Sequence, residues 1–150
     1  MNPYPAVSTI AQTIQLSLSP IFMLAAIGQL LNVLAGRLAR VVDRARVVEE
    51  WHPLSSGPEH DRHVWELRLL DRRMTVINRS LVLAVSSAAL TCIVVALLFV
   101  ASLFKLHIGT VVAVIFILAM GLLISSLVGF LIEVRISLSA IHVRDELLER

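Results

Sequence analysis

Gln29 and Asn32 stand one helical turn apart in a stretch, Met1 to Gly36, that contains no Asp, Glu, Lys or Arg. Their amides carry donors and acceptors that can replace part of an ion's hydration shell. Turned toward lipid, the same groups would be left unsatisfied at high cost, so they must face protein or water. Gln12, Gln15 and Ser19 extend that side toward the amino end at spacings of three and four, and Gly36 and Arg40 extend it the other way. Two readings stand side by side. Either these residues line a permeation path gathered around a symmetry axis, or they make interhelical hydrogen bonds, worth on average about 0.6 kcal/mol each in membranes. The block Arg37, Arg40, Asp43, Arg44 follows directly. Asp43 is three residues from both Arg40 and Arg46, so intrahelical ion pairs are available. This block either anchors the chain at a membrane surface in contact with anionic lipid or forms a ring of charge at the inner mouth of a pore. Such a ring would favour anions unless Asp43 neutralises it.

Other chemistry is sparse. His60 and His63 provide the single metal-like spacing, but zinc takes three or four converging ligands and this pair guarantees two. The plainer reading is a solvated hairpin tip, with no metal and no other cofactor. The apolar stretches hold no ionisable residue at their centres, where proton-coupled transporters keep theirs. No Ser/His/Asp set, metalloprotease motif or phosphate-loop glycine pattern is present, so the chain does not read as an enzyme. Cys92, the one cysteine, has no partner for an intramolecular disulfide and reads as a small buried core residue.

The elements that must carry these residues follow from composition. Of 150 residues, 57% are hydrophobic and 16% charged, against about 45–50% and 25% in soluble domains. Leu81–Phe104 and Leu106–Ile132 also lack charge; 16 of the charged residues fall in Arg37–Arg79 and seven in Glu133–Arg150. Roughly 20 apolar residues in a helix cross a bilayer, so the expected architecture is all-α and integral to a membrane, with three spans at 19–36, 81–104 and 108–132. Twelve of the thirteen Lys and Arg lie in Arg37–Arg79 and Arg135–Arg150. Basic residues resist translocation, which places the N-terminus outside and the C-terminus inside. The net charge of +2 is explained by this orientation, and its interleaved acids do not suggest nucleic acid. No basic n-region precedes the first apolar stretch, so no cleaved signal peptide is expected.

Residues 6–18 read as an amphipathic helix that either lies on the interface or enters the membrane as the start of the first span. Ser19-Pro20 suits an N-cap followed by a first helical position, which favours a new helix there. Residues 37–80 form a cytoplasmic helical hairpin, interrupted by the Pro/Ser/Gly run before Pro58, whose arms continue the first and second spans. A tight turn at Lys105–Gly109 makes the last two spans antiparallel, and 133–150 continues the third as a cytoplasmic C-terminal helix.

The run Ser19-Pro-Ile-Phe-Met-Leu-Ala-Ala-Ile-Gly-Gln-Leu-Leu-Asn-Val-Leu-Ala-Gly-Arg-Leu-Ala-Arg-Val-Val-Asp-Arg-Ala-Arg46, with Arg72-Arg73 and Ile77-Asn-Arg79 further on, resembles the DUF2721 family of small bacterial membrane proteins of unknown function. The resemblance covers most of the chain. It implies three spans and a bacterial inner-membrane setting, and it brings no activity or site residues.

Small residues recur every four positions in each span: Gly28, Asn32 and Gly36; Ala84, Ala88, Cys92 and Ala96; Gly121, Ser125 and Gly129. Lipid supplies no hydrophobic drive between helices, so association depends on close backbone approach at such positions. They serve packing within one chain or between copies. Together these features lead to an expected homo-oligomer in the lipid bilayer. It would be a channel-like pore lined by the first helix, in contact with ions or anionic lipid. The alternative is a non-conducting scaffold or accessory subunit that binds a partner through its cytoplasmic helices.

Overall fold

A backbone in an apolar medium must satisfy its own hydrogen bonds, and long apolar runs with few breakers do so as helices. The computed structural model describes the backbone of residues 5–51 and 57–145, and the side chains of Gln12, 14–51, Gly57 and 60–138. It holds three helices: α1, Pro5–Trp51; α2, Pro58–Phe104; and α3, Gly109–Asp145. Each contains a stretch long and apolar enough to cross a membrane. Of the most apolar window in each, 17%, 22% and 17% is buried within the chain, so most of each apolar surface is left uncovered by the described residues.

The helix start expected at Ser19-Pro20 is not observed: α1 runs unbroken through Pro20. Residues 6–18 and 19–36 therefore belong to one helix. Apolar residues of that segment, Ile14 and Leu18, are exposed, whereas Ser17 and Pro20 are buried. The start of α2 uses backbone freedom that only glycine gives cheaply. Gly57 adopts φ +67° and its carbonyl accepts from His60 N at 3.1 Å, with Pro58 in the first helical position. The end of α2 closes as expected at Lys105. Leu106 N donates to the Ala101 carbonyl at 3.0 Å, and Lys105 sits at φ 53°, the left-handed terminal geometry usually given to glycine. A side chain there costs about 1–2 kcal/mol. Lys105→Gly is therefore expected to raise unfolding stability by about 1 kcal/mol, checked by denaturant titration in mixed micelles.

The chain divides into two units. The first comprises Met1–Leu31 and Leu83–Ile124. Ile27, Ala84, Val94 and Ala119 fill its core together with Ser17, Ser87 and Thr91. The Ser87 hydroxyl donates to the Ala119 carbonyl at 2.7 Å, joining α2 to α3, and Thr91 donates back to the Ser87 carbonyl at 2.8 Å. The second unit comprises Asn32–Val82 and Ser125–Arg150. Its core is Leu34, Val41, Ala45, Val48, Leu70 and Ile77. Here the Ser126 hydroxyl donates to the Ser80 carbonyl at 2.7 Å. Gly129 lies so close to Ser80 that an added Cβ would collide with its hydroxyl.

Burial along each helix follows one period. On α1, Pro20, Ile27, Leu34, Val41 and Val48 are buried; on α2, Leu70, Ile77, Ala84 and Thr91; on α3, Ala119, Ser126 and Glu133. Seven-residue spacing is the signature of helices that pack side by side along a seam. The α2 and α3 seams use Ala, Ser, Thr and Gly, which let backbones come close and let hydroxyls meet carbonyls. Cys92 is off the seam and exposed, which corrects its reading as a core residue: its neighbour Thr91 takes the inward position.

Candidate functional site: a buried carboxylate and an arginine-lined cavity

The seam repeat carries one acid inward. Glu133, seven residues after Ser126, is fully buried in the second unit. An isolated carboxylate there would be very costly. Two arginines answer it from the other helices. Arg37 Nη1 donates to Glu133 Oε2 at 2.6 Å, and Arg73 donates to Oε1 through Nη2 at 2.9 Å and Nε at 3.3 Å. The Arg37 guanidinium also lies 5.0 Å from the centroid of the Phe130 ring, within cation–π range. One carboxylate thus ties α1, α2 and α3 together. A second pair, Arg44 to Glu66 at 2.8 Å, joins α1 to α2. Its arginine side chain is half exposed, so it contributes about 1 kcal/mol or less.

Beside this cluster, within the same unit, is a cavity of about 320 Å³. Arg37, Arg40, Arg44 and Arg73 line it together with Ser137. Val41 and Leu70 complete the wall, and no acid does so among the described residues. Glu133 and Glu66 therefore orient three of the four guanidinium groups without contributing to the lining. Arg40 has no ion-pair partner among the described residues.

The residues singled out in the sequence fall as follows. Gln12, Gln15, Ser19, Gln29 and Asn32 are all exposed on α1, and Gly36 is half-buried. Of the charge block, Arg37 is drawn to Glu133 and Arg44 to Glu66, and Arg40, Asp43 and Arg44 are exposed. The Arg40–Asp43 and Asp43–Arg46 pairs that spacing made available are not among the ion pairs of the described residues. Among the small residues, Ala84 is buried, Ala88 is half-buried and Gly129 abuts Ser80. Gly28, Gly121 and Ser125 are exposed, and a Cβ on either glycine would meet nothing within 4 Å. His60 and His63 lie near the start of α2 and are half-buried. No group of three or more His, Cys, Asp or Glu able to hold a metal occurs among the described residues.

Sequence reasoning missed Glu133 as a site residue and gave Arg73 no role. A signal was present. Glu133 is the first charge after the uncharged run Leu106–Ile132, and it shares the seven-residue register of Ala119 and Ser126. Arg73 stands in the register of Ser80 and Ser87. Charges in a seam register need opposite charges at the same level.

Fold and site define the class first: an all-helical chain whose three helices are long and apolar enough to cross a membrane, with a buried Arg–Glu–Arg cluster beside a basic cavity. The family model described as Protein of unknown function (DUF2721) matches residues 17–143, and the chain belongs to that family. The match includes Arg37, Arg73 and Glu133. Comparison with curated proteins and with solved structures finds no match.

Proposed function

We propose that this protein is a homo-oligomer of the bacterial inner membrane and forms a channel-like pore lined by α1. One observation carries the reading. Gln12, Gln15, Ser19, Gln29 and Asn32 are exposed, while Ile27 and Leu34 of the same helix are buried in the chain. A span that turns its amides away from its own core needs water or other copies of the chain to satisfy them. Assembly around α1 provides both. With Arg37 and Arg44 held by acids of the same chain, Arg40 and Asp43 are the members of the inner-mouth block that make no ion pair among the described residues. The Lys/Arg asymmetry supports an external N-terminus and a cytoplasmic C-terminus. Reporter fusions after Val48 and after Arg150 should then read cytoplasm, and a fusion within Lys105–Gly109 should read outside. An external C-terminus would sink this topology.

The functional test is ion flux into liposomes at matched protein density. Asn32→Leu places an apolar constriction on the path and should gate it by dewetting. Flux should fall with the oligomer still assembled, and Gln29→Leu should behave likewise. Equal flux in wild type and both variants would remove α1 from the path. A correctly inserted wild type that passes no common monovalent or divalent ion would favour the non-conducting scaffold, bound to a partner through its charged helices.

A further inference from the structure

The cavity beside Glu133 has features that a pore lined by α1 does not require. Four arginines line about 320 Å³, with no acid in the lining among the described residues. Glu133 and Glu66 offset part of the four positive charges, and the excess that is left, Arg40 above all, favours a further anion. The lining is also held in place. Glu133 fixes Arg37 and Arg73 from behind, and Glu66 fixes Arg44. Less side-chain freedom is then lost when a ligand arrives. Donors are left over. An arginine has five N–H groups; Arg37 uses Nη1, and Arg73 uses Nε and Nη2. Among the described residues, Nη2 of Arg37 and Nη1 of Arg73 are therefore uncommitted, as is the guanidinium of Arg40. The Ser137 hydroxyl adds a neutral donor to the lining.

Planar forks of this kind match the oxygens of phosphate, which accept paired hydrogen bonds. The volume is at the small end of ligand pockets, about 300–1,000 Å³, and suits a single phosphate group better than a nucleotide. Its position adds to this. Arg37 is the first charge after the uncharged run Met1–Gly36, and Ser137 is four residues beyond the first charge after Leu106–Ile132. The cavity thus lies where two apolar stretches give way to polar chain, which is where phospholipid headgroups would stand with those stretches across a bilayer.

We propose that this cavity is a phosphate-binding site, with Arg40, Arg37, Arg73 and Ser137 as the contacting residues. The phosphate belongs either to an anionic lipid headgroup or to a free phosphate ion. The proposal does not rest on the pore reading.

The test uses the full chain purified in a non-ionic detergent. One arm titrates inorganic phosphate against a chloride control of equal ionic strength. The other adds phosphatidic acid to the micelles, with phosphatidylcholine as the control. Binding is read by calorimetry, and the thermal midpoint is read in parallel. Saturable binding in either arm is expected, the responding arm identifying the source. Arg40→Gln should weaken it tenfold or more and leave the ligand-free midpoint unchanged, since Arg40 makes no ion pair among the described residues. Ser137→Ala should weaken it less. Arg46→Gln, an exposed arginine of the same helix outside the cavity, should have no effect. Absence of saturable binding in both arms would overturn the proposal. So would an equal loss in Arg40→Gln and Arg46→Gln, which would indicate diffuse surface charge.

Discussion

Glu133→Ala is expected to cost about 3 kcal/mol of unfolding free energy, read as a lowered midpoint when the protein in mixed micelles is titrated with denaturing detergent. Breaking a buried pair by removing one partner typically costs about 3–5 kcal/mol, because the other charge loses its counterion. The lower figure applies here, since the side chains of Arg37 and Arg73 keep 29% and 20% of their exposure and stay partly hydrated. Arg37→Ala and Arg73→Ala should each cost less, because Glu133 retains the other arginine. The double change should cost more than the two singles together, because it strands a carboxylate with no exposure at all. Replacing all three residues with apolar ones of similar size should recover most of the loss, as buried ionic clusters are often no better than good packing. A Glu133→Ala protein within about 0.5 kcal/mol of wild type would show that the cluster does not hold the unit together.

Gly129→Leu should be the second large effect. Its side chain would start where the Ser80 hydroxyl already is. Crowding a packed interior costs about 1–3 kcal/mol, and the move would also disturb the Ser126-to-Ser80 hydrogen bond. Gly121 belongs to the same four-residue stripe, but a Cβ added there meets nothing within 4 Å, so Gly121→Leu starts into open space. It should leave the fold of a single chain intact and separate copies if that face joins them. The pair therefore distinguishes packing within the chain from packing between chains: thermal stability for Gly129, and mass in detergent for Gly121. If Gly121→Leu unfolded the chain or Gly129→Leu left it unaffected, this division of the stripe would be wrong.

The helices were legible because the charge-free runs in this chain are long. Leu81–Phe104 and most of Leu106–Ile132 are uniformly apolar over more than the roughly 9–11 residues of a membrane strand, which leaves the helix as the structure that satisfies their backbone. Their inward faces were harder to find, because the outward faces are also apolar. Leu38, Val41, Ala45 and Val48 stand out against arginines, but Ser87 and Ala119 sit among residues as hydrophobic as any core. Pro20 misled in a similar way. Proline after serine favours a helix start, yet the rest of α1 continues the helix on both sides. The cavity was partly legible. Arg37, Arg40 and Arg44 are one cluster on one helix, whereas Arg73 and Glu133 join them through packing across separations of 96 and 60 residues, which no local spacing reveals.

The distance along the chain between Glu133 and its arginines also has a consequence for synthesis. Sixty residues separate Arg73 from Glu133. At roughly 5–20 residues per second, a ribosome takes on the order of 3–12 s to cover that gap. Throughout the interval both arginines exist without the acid that will neutralise them, and in the proposed orientation hydration would keep them on the side of the membrane where they were made. The last helix then delivers the counterion. On that topology the same two cations would act in turn, first by resisting translocation as α1 and α2 enter the bilayer, and afterwards by receiving α3 in a single register. A nascent chain stopped before Glu133 has no means of burying them, so such a chain is distinguishable from a finished one by two hydrated guanidinium groups.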